Sequence, residues 1–433
     1  MIGKRNKKPA ENKEGNDAVL LSRPKIIAGD EVSDYRMIVS VIFLLMFGLI
    51  MIYSASSASS GLSPVFRQLL FIGIGMFGMF VASRVNYHWL VRHAWPIFVL
   101  AFLSVFLVRV PGLSYTSHGA SRWIEIFGFT IQPAEFLKPG IILLMSYILV
   151  KEGAKLKKVL VTIKVMIPAV ISAGVVLIIT SNLSTAIIIF GIAAIMLFVA
   201  FPGRKVWAWI GVILLAVIIA AYAYFNLVLK PADEQNTIVS EQSLTEEEQE
   251  ELEIGYRTKR ILAWIYPEKY SDESLQTRYS MYAIGYGGVF GRGLGNGTVK
   301  YVLPEPTNDF IFAVIAEELG IAGCLAVMVL FIYQIWRIIE VARHAPDRIG
   351  CFVAAGVGIH ISLQAIFNIG VAMNVFPNTG ISLPYISAGG SALILQLAEV
   401  GMVLNVSRQI HGKRITVSHP EVADIIPEEE MAN

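Results

Sequence analysis

Three groups of polar side chains stand in this sequence among apolar neighbours that should exclude them. The first is Gln132, Glu135 and Lys138, with Arg122 and Trp123 just upstream. Glu135 and Lys138 are i, i+3 neighbours, so on a helix they share a face and neutralise each other. That spacing suits a structural ion pair as well as a binding site. Arg122 is of the type that grips a phosphate with two parallel hydrogen bonds. The second group is Asp309, approached through Pro304-Glu305-Pro306-Thr307-Asn308, with Glu317 and Glu318 about two turns further on. Asp is a favoured helix cap; it is also a carboxylate able to take a proton from a hydroxyl nucleophile. Position alone leaves both readings open. Glu317 and Glu318 cannot face the same way, and one of them is expected to pair with a basic group elsewhere. The third group is His360, Gln364 and Asn368, spaced i, i+4, i+8 and therefore stacked on one helix face. A lone histidine in that setting is expected to hydrogen-bond between helices. No second His or Cys lies at metal-ligand spacing, so the sequence offers no metal or cofactor site, for a divalent cation or otherwise.

The elements that must hold these groups are set by composition. Hydrophobic residues make up 55% of the 433 and charged residues 16%, against about 25% charged in soluble domains. The apolar residues come in unbroken runs, which a water-facing surface could not hide, and a run of about 20 spans a bilayer as a helix. Such runs fall at Met37–Ser56, Phe66–Ala82, Trp95–Val110, Phe136–Val150, Leu160–Thr180, Thr185–Ala200, Val206–Leu227, Phe310–Trp336, Cys351–Ala372 and Ala392–Val406. The chain is thus expected to be an all-α polytopic membrane protein of about ten helices. The break between the fifth and sixth runs is the least marked. The first run is long enough to span and lacks a small-residue cleavage site, so no cleavable signal is expected. Cys324 and Cys351 sit in apolar runs and read as small buried hydrophobes.

Orientation follows from the short basic loops. Lys151, Lys155, Lys157 and Lys158 follow the fourth run, Arg204 and Lys205 the sixth, Arg337, Arg343 and Arg348 the eighth, and Arg408, Lys413 and Arg414 the tenth. With the basic tail Lys4 to Lys8, all fall on one side, which places both termini in the cytoplasm. The organisation expected is a cytoplasmic tail at 1–35, a membrane domain at 36–408 containing an outer loop at 228–308, and a cytoplasmic tail at 409–433. The first two polar groups then lie at or just below the outer face. A net charge of +2 argues against nucleic-acid binding.

The outer loop has two parts. Asp233 to Glu253 is acidic and reads as a solvated surface segment. From Tyr256 the chain turns basic, aromatic (Trp264, Tyr266) and glycine-rich, with Arg257, Lys259, Arg260 and Arg292 as candidates to face phosphates or lipid headgroups. Gly291 to Gly297 lacks the Lys-Ser/Thr ending of a phosphate loop. Gly73-Ile74-Gly75-Met76-Phe77-Gly78 matches a dinucleotide fingerprint in letters only; no strand precedes it, and close helix packing explains it better.

These residues also carry a family likeness. Gly119-Ala120-Ser121-Arg122-Trp123-Ile124, the stretch Ile131 to Lys138, Leu303-Pro304-Glu305 through Phe312, Ala316-Glu317-Glu318-Leu319-Gly320 and the stretch Gly380 to Ser391 occur in that order. From about Tyr35 to Arg408 the chain resembles the SEDS family, the cell-wall glycosyltransferases FtsW, RodA and SpoVE of division, elongation and sporulation. The acidic loop and the Asn378-to-Ala388 wording lean toward FtsW or SpoVE. The resemblance implies a ten-helix fold in a bacterial plasma membrane and polymerisation of lipid II, with the essential aspartate at Asp309 and the functional Glu and Lys at Glu135 and Lys138. Gln132 and Ser391, in two of these motifs, join Arg122, Arg257 and Arg292 as candidate substrate contacts. The implied partner is a class B penicillin-binding protein, a transpeptidase, alongside other membrane proteins of division or elongation. The chain departs from the common family pattern at Asn182-Leu183-Ser184-Thr185, where Asp-Leu-Gly-Thr is frequent, at Tyr279 and at Ala388. A flippase for the same lipid-linked precursor would also use intramembrane charges, and a scaffold for cell-wall proteins is a third reading. No internal repeat favours the flippase, and a scaffold has little need of buried Glu135, Lys138 and Glu317.

Overall fold

The structure, a computed structural model, describes residues 33–56, 62–117, 120–126, 129–180, 182–201, 256–378 and 380–412. In chain order its helices are α1 (Ser33–Ser56), α2 (Ser63–Arg84), α3 (Tyr87–Arg92), α4 (Ala94–Ser104), α5 (Pro133–Glu152), α6 (Val159–Ile179) and α7 (Leu183–Ala200). They continue with α8 (Tyr256–Ile265), α9 (Ser271–Gly287), α10 (Ile311–His344), α11 (Arg348–Ala372) and α12 (Gly390–Gly412). Eight of the described helices are long and apolar enough to cross a membrane, and Ala94–Arg109 forms a shorter apolar one. Nine of the expected spans coincide with these helices; the run at 206–227 and the acidic stretch at 233–253 lie outside the described residues.

Helix is the form these runs take because a bilayer offers backbone groups no partner, and a helix satisfies them internally. Prolines stand in the first turns of α2 and α5, where a missing N–H costs nothing. The break between α6 and α7 is real: the Asn182 side chain accepts from the Thr185 N–H at 3.1 Å and caps α7. In their apolar windows α5 and α12 are 72% buried and α2 only 17%. The bundle is therefore built around α5, α11 and α12, while α2 and α6 present Phe66, Phe77, Leu160 and Ile178 outward, as a lipid-facing surface requires.

Two features were not foreseen in the sequence. The segment between α4 and α5 contains a three-stranded antiparallel sheet, β1 (Ser114–Ser117), β2 (Ala120–Ile126) and β3 (Phe129–Ile131), in the order β1-β2-β3. Tyr115 pairs with Trp123 and Thr116 with Ser121, so Arg122 is the extra residue of a bulge. Bulges of this kind re-aim a side chain. The second feature is the break of α10 at Gly320, whose φ of 67° and ψ of −164° lie outside the helical range.

Candidate active site

Loops at one end of the bundle converge on a cavity of about 400 Å³. Arg122, Gln132, Glu135, Lys138, Asp309, Gln364 and Ser391 all line it, from segments up to 269 residues apart, together with Arg67, Asn182, Thr185, Arg260 and Gly380.

Asp309 ends a loop stiffened by Pro304 and Pro306. The residue that caps α10 is Phe310, and no side chain makes a capping bond there. Capping therefore does not account for Asp309. Its backbone carbonyl accepts from Asn368 Nδ2 at 2.8 Å, and the same amide donates to Ile381 O at 2.7 Å. Asn368 thus ties the start of α10 to the loop before α12. Opposite stands Gly380, with φ of +74°; a Cβ there would lie 3.3 Å from Asp309 Oδ2, 3.4 Å from Arg122 Nη1 and 4.0 Å from Arg260 Nη1. One carboxylate and two guanidinium groups therefore gather around one bare backbone position, which only glycine fills without strain. Burial pushes the Asp309 carboxyl up from 3.8 to about 6; Arg260 and Arg122 pull it down, and Glu305 pushes it up.

Below lies the ion pair. Lys138 Nζ donates to both Glu135 oxygens at 2.7 and 2.8 Å and to Gln364 Oε1 at 3.2 Å. Both charged side chains are almost fully buried, yet both line the cavity. The Gln132 N–H donates to Ser391 Oγ at 3.2 Å, joining the starts of α5 and α12. His360 lies behind Gln364, with Nε2 at 2.9 Å from Gln364 Oε1 and Nδ1 at 2.6 Å from Glu399 Oε2. The stacked face of α11 is as the spacing predicts, and its histidine does bond between helices.

Other candidates are placed elsewhere. Arg292 is not brought to the cavity: it bonds Thr298 Oγ1 at 3.0 Å, lies 3.8 Å from Glu317 and stacks on Tyr286. Arg257 is the second residue of α8, and Arg260, one turn on, lines the cavity. Glu317 and Glu318 diverge as expected. Glu317 accepts from the N–H groups of Thr298 and Val299; Glu318 accepts from Ser54 Oγ, the Gly295 N–H and buried Lys300 Nζ at 2.9 Å. The glycine-rich loop is docked into the break of α10. Arg292 and Gly293 N–H groups donate to the carbonyls of Glu317 and Glu318, and the Ile321 and Ala322 N–H groups donate to Gly288 and Val289. The loop thus satisfies the backbone that the broken helix frees. In the earlier glycine run, Gly75 packs on Leu397, as close helix packing predicts. Among the departures from the family pattern, Asn182 and Ala388 line the cavity, and the Ala388 N–H donates to Thr307 O at 2.9 Å.

Sequence reasoning passed over Arg67, Gly380, Lys300 and Glu399. An ionisable residue inside an apolar run is itself a signal, and Glu399 carried it. Gly380 opens one of the family motifs, but its place opposite Asp309 had no signal there short of its backbone angle. Among the described residues no group of three or more His, Cys, Asp or Glu gathers as metal ligands would.

Long apolar helices closed around a charged, open-ended cavity define a polytopic integral membrane protein. The family model for FtsW, RodA and SpoVE, described as a cell cycle protein, matches residues 35–412. The chain is 36% identical to the probable peptidoglycan glycosyltransferase FtsW of Geobacter sp. (strain M18), over 88% of this chain and 99% of that protein. It is also 36% identical to the stage V sporulation protein E of Bacillus subtilis (strain 168), over 87% and 97%. Its fold matches a chain of a solved peptidoglycan synthase complex with a TM-score of 0.68 at 23% identity, over 87% of this chain and 98% of that one. It matches the rod shape determining protein RodA of Thermus thermophilus at 0.59 and 22%, over 90% and 99%. This chain belongs to the FtsW/RodA/SpoVE family.

Proposed function

We propose that the chain is a peptidoglycan glycosyltransferase that polymerises lipid II by β-1,4 transfer at the outer surface of the plasma membrane. The observation that carries this reading is the facing of Asp309 by Arg122 and Arg260 across Gly380, in a cavity that Lys138 also lines. Joining two lipid-linked disaccharides forms a bond from a sugar 4-hydroxyl to an anomeric carbon and breaks the bond from that carbon to pyrophosphate. The hydroxyl is a poor nucleophile, and Asp309 takes its proton. A carboxyl raised to about 6 is ionised at neutral pH and is a stronger base than an ordinary carboxylate. The departing pyrophosphate gains charge as the bond breaks, and fixed cations stabilise it most at that moment. Arg122, Arg260 and Lys138 supply them, with Glu135 and Gln364 orienting the lysine. Family membership supports a cell-wall role, and the peptidoglycan synthase complex that the fold matches supports a class B penicillin-binding protein as partner.

The test is polymerisation of labelled lipid II by the purified protein, alone and with its transpeptidase partner. Glycan ladders that vanish with Asp309→Asn are expected. A protein that makes no polymer under either condition, while moving labelled lipid II across vesicles, would be the flippase that a broken intramembrane helix such as α10 also suits.

A further inference from the structure

Glu399 sits inside α12 with its side chain wholly buried, and among the described residues its Oε1 makes no hydrogen bond. Its Oε2 lies 2.6 Å from His360 Nδ1, which is its hydrogen-bond partner among the described residues. Such a pair does not earn its place through stability, since well-packed apolar residues usually serve as well or better. The geometry beyond it gives another reason. Gln364 Nε2 donates to Ser382 O at 3.1 Å, which fixes the amide so that Oε1 faces both Lys138 Nζ and His360 Nε2. An amide oxygen only accepts, so His360 must carry hydrogen on Nε2. With Nε2–H committed to Gln364, Nδ1 of a neutral ring is bare and accepts the Glu399 carboxyl proton, and in a charged ring Nδ1–H donates to the carboxylate. Without it, Nδ1 is left unpaired in the core and the ring loses the partner that holds it against Gln364.

We propose that His360 and Glu399 are positioning residues that act through Gln364 to hold Lys138 at the cavity wall. The assignment rests on the glycosyltransferase reading for its kinetic consequence but not for the coupling itself. Glu399→Leu is expected to lower kcat for lipid II polymerisation at least tenfold, with KM changed less than threefold, in protein that remains folded. Glu399→Gln, whose amide can donate to Nδ1 and preserve the Nε2–H form, should recover most of that loss. In a Gln364→Leu background Glu399→Leu should cost nothing further, because residues on one network are not additive. Reductive methylation of Lys138, followed by mass spectrometry, reads the same coupling without catalysis: it should change severalfold in Glu399→Leu and return in Glu399→Gln. If the single leucine variant folds poorly, the double change His360→Leu with Glu399→Leu leaves no lone charge in the core and makes the same prediction. The proposal is overturned by wild-type kcat and wild-type labelling in a folded leucine variant, by effects that multiply with Gln364→Leu, or by equal losses in Glu399→Gln and Glu399→Leu. A wild-type protein that polymerises nothing overturns the enzyme reading alone, and the labelling still decides the coupling.

Discussion

The Asp309 carboxyl carries two predictions of opposite sense. A general base contributes roughly 10²–10⁴ in rate, so Asp309→Asn should reduce polymerisation at least 100-fold on that estimate. Its stability effect runs the other way. A carboxyl raised from 3.8 to about 6 is disfavoured by folding in its ionised form. The stability it contributes is fully present below 3.8 and lost as pH rises through about 6. At neutral pH the asparagine variant should therefore melt at the same temperature or higher. The same shift predicts that wild-type polymerisation falls as pH drops through about 6, approaching tenfold per unit below it. A flat rate between pH 5 and pH 7 would remove Asp309 as the base. Lys138→Ala leaves Glu135 buried without its partner, at a cost of about 3–5 kcal/mol, read by denaturant or thermal unfolding. Glu135→Gln with Lys138→Met should restore stability but not activity, and full activity in that double variant would take Lys138 out of the site.

At the scale of elements, α10 and the loop before it form one unit. A Cβ on Gly320 would lie 2.4 Å from Gly291 N, at a φ of 67° that disfavours any other residue. A Cβ on Gly287 would meet the Ala316 carbonyl. Gly320→Ala should undock the loop and lower the melting temperature by many degrees, with activity lost because the helix segment that follows Asp309 ends at this break. Gly78→Ala is the control. Nothing lies within 4 Å of its Cβ position, and alanine in a helix interior gains about 1 kcal/mol over glycine. Thermal melts of both variants in detergent decide the contrast; an unchanged melt for Gly320→Ala would mean that the loop is not needed to satisfy the broken helix.

Across the whole molecule, the cavity draws on segments from α2 to α12, and the residues between α7 and α8 include the acidic stretch read in the sequence. That stretch, Asp233 to Glu253, is poor in aromatics and carries charge of the same sign as a pyrophosphate, so it is not expected to bind one. Read as the solvated segment its composition suggests, Gln235 to Glu251 should be deletable with basal polymerisation kept within about twofold, since shortening such a segment changes closure entropy little. Stimulation by the transpeptidase should weaken if that partner docks on the segment. Loss of basal activity in a well-folded deletion would place the segment in the site.

Much of this was legible in the sequence, because a membrane removes the usual ambiguity. Apolar runs of bilayer length can only be helices, and charges among them stand out. Hence the spans, the Glu135–Lys138 pair and the shared face of His360, Gln364 and Asn368 could be read directly. The tertiary structure alone decided the rest. Arg122 reaches the cavity through a bulge in a sheet too short to leave a periodic pattern. Gly380 matters because two arginines and Asp309 close around it from segments far apart in the chain. Arg292 and Arg260 look alike in the sequence, yet one braces the break in α10 while the other faces Asp309. Residue type and spacing set what a side chain can do, whereas which distant partner it meets depends on how the loops close, and that is fixed only when the whole bundle packs.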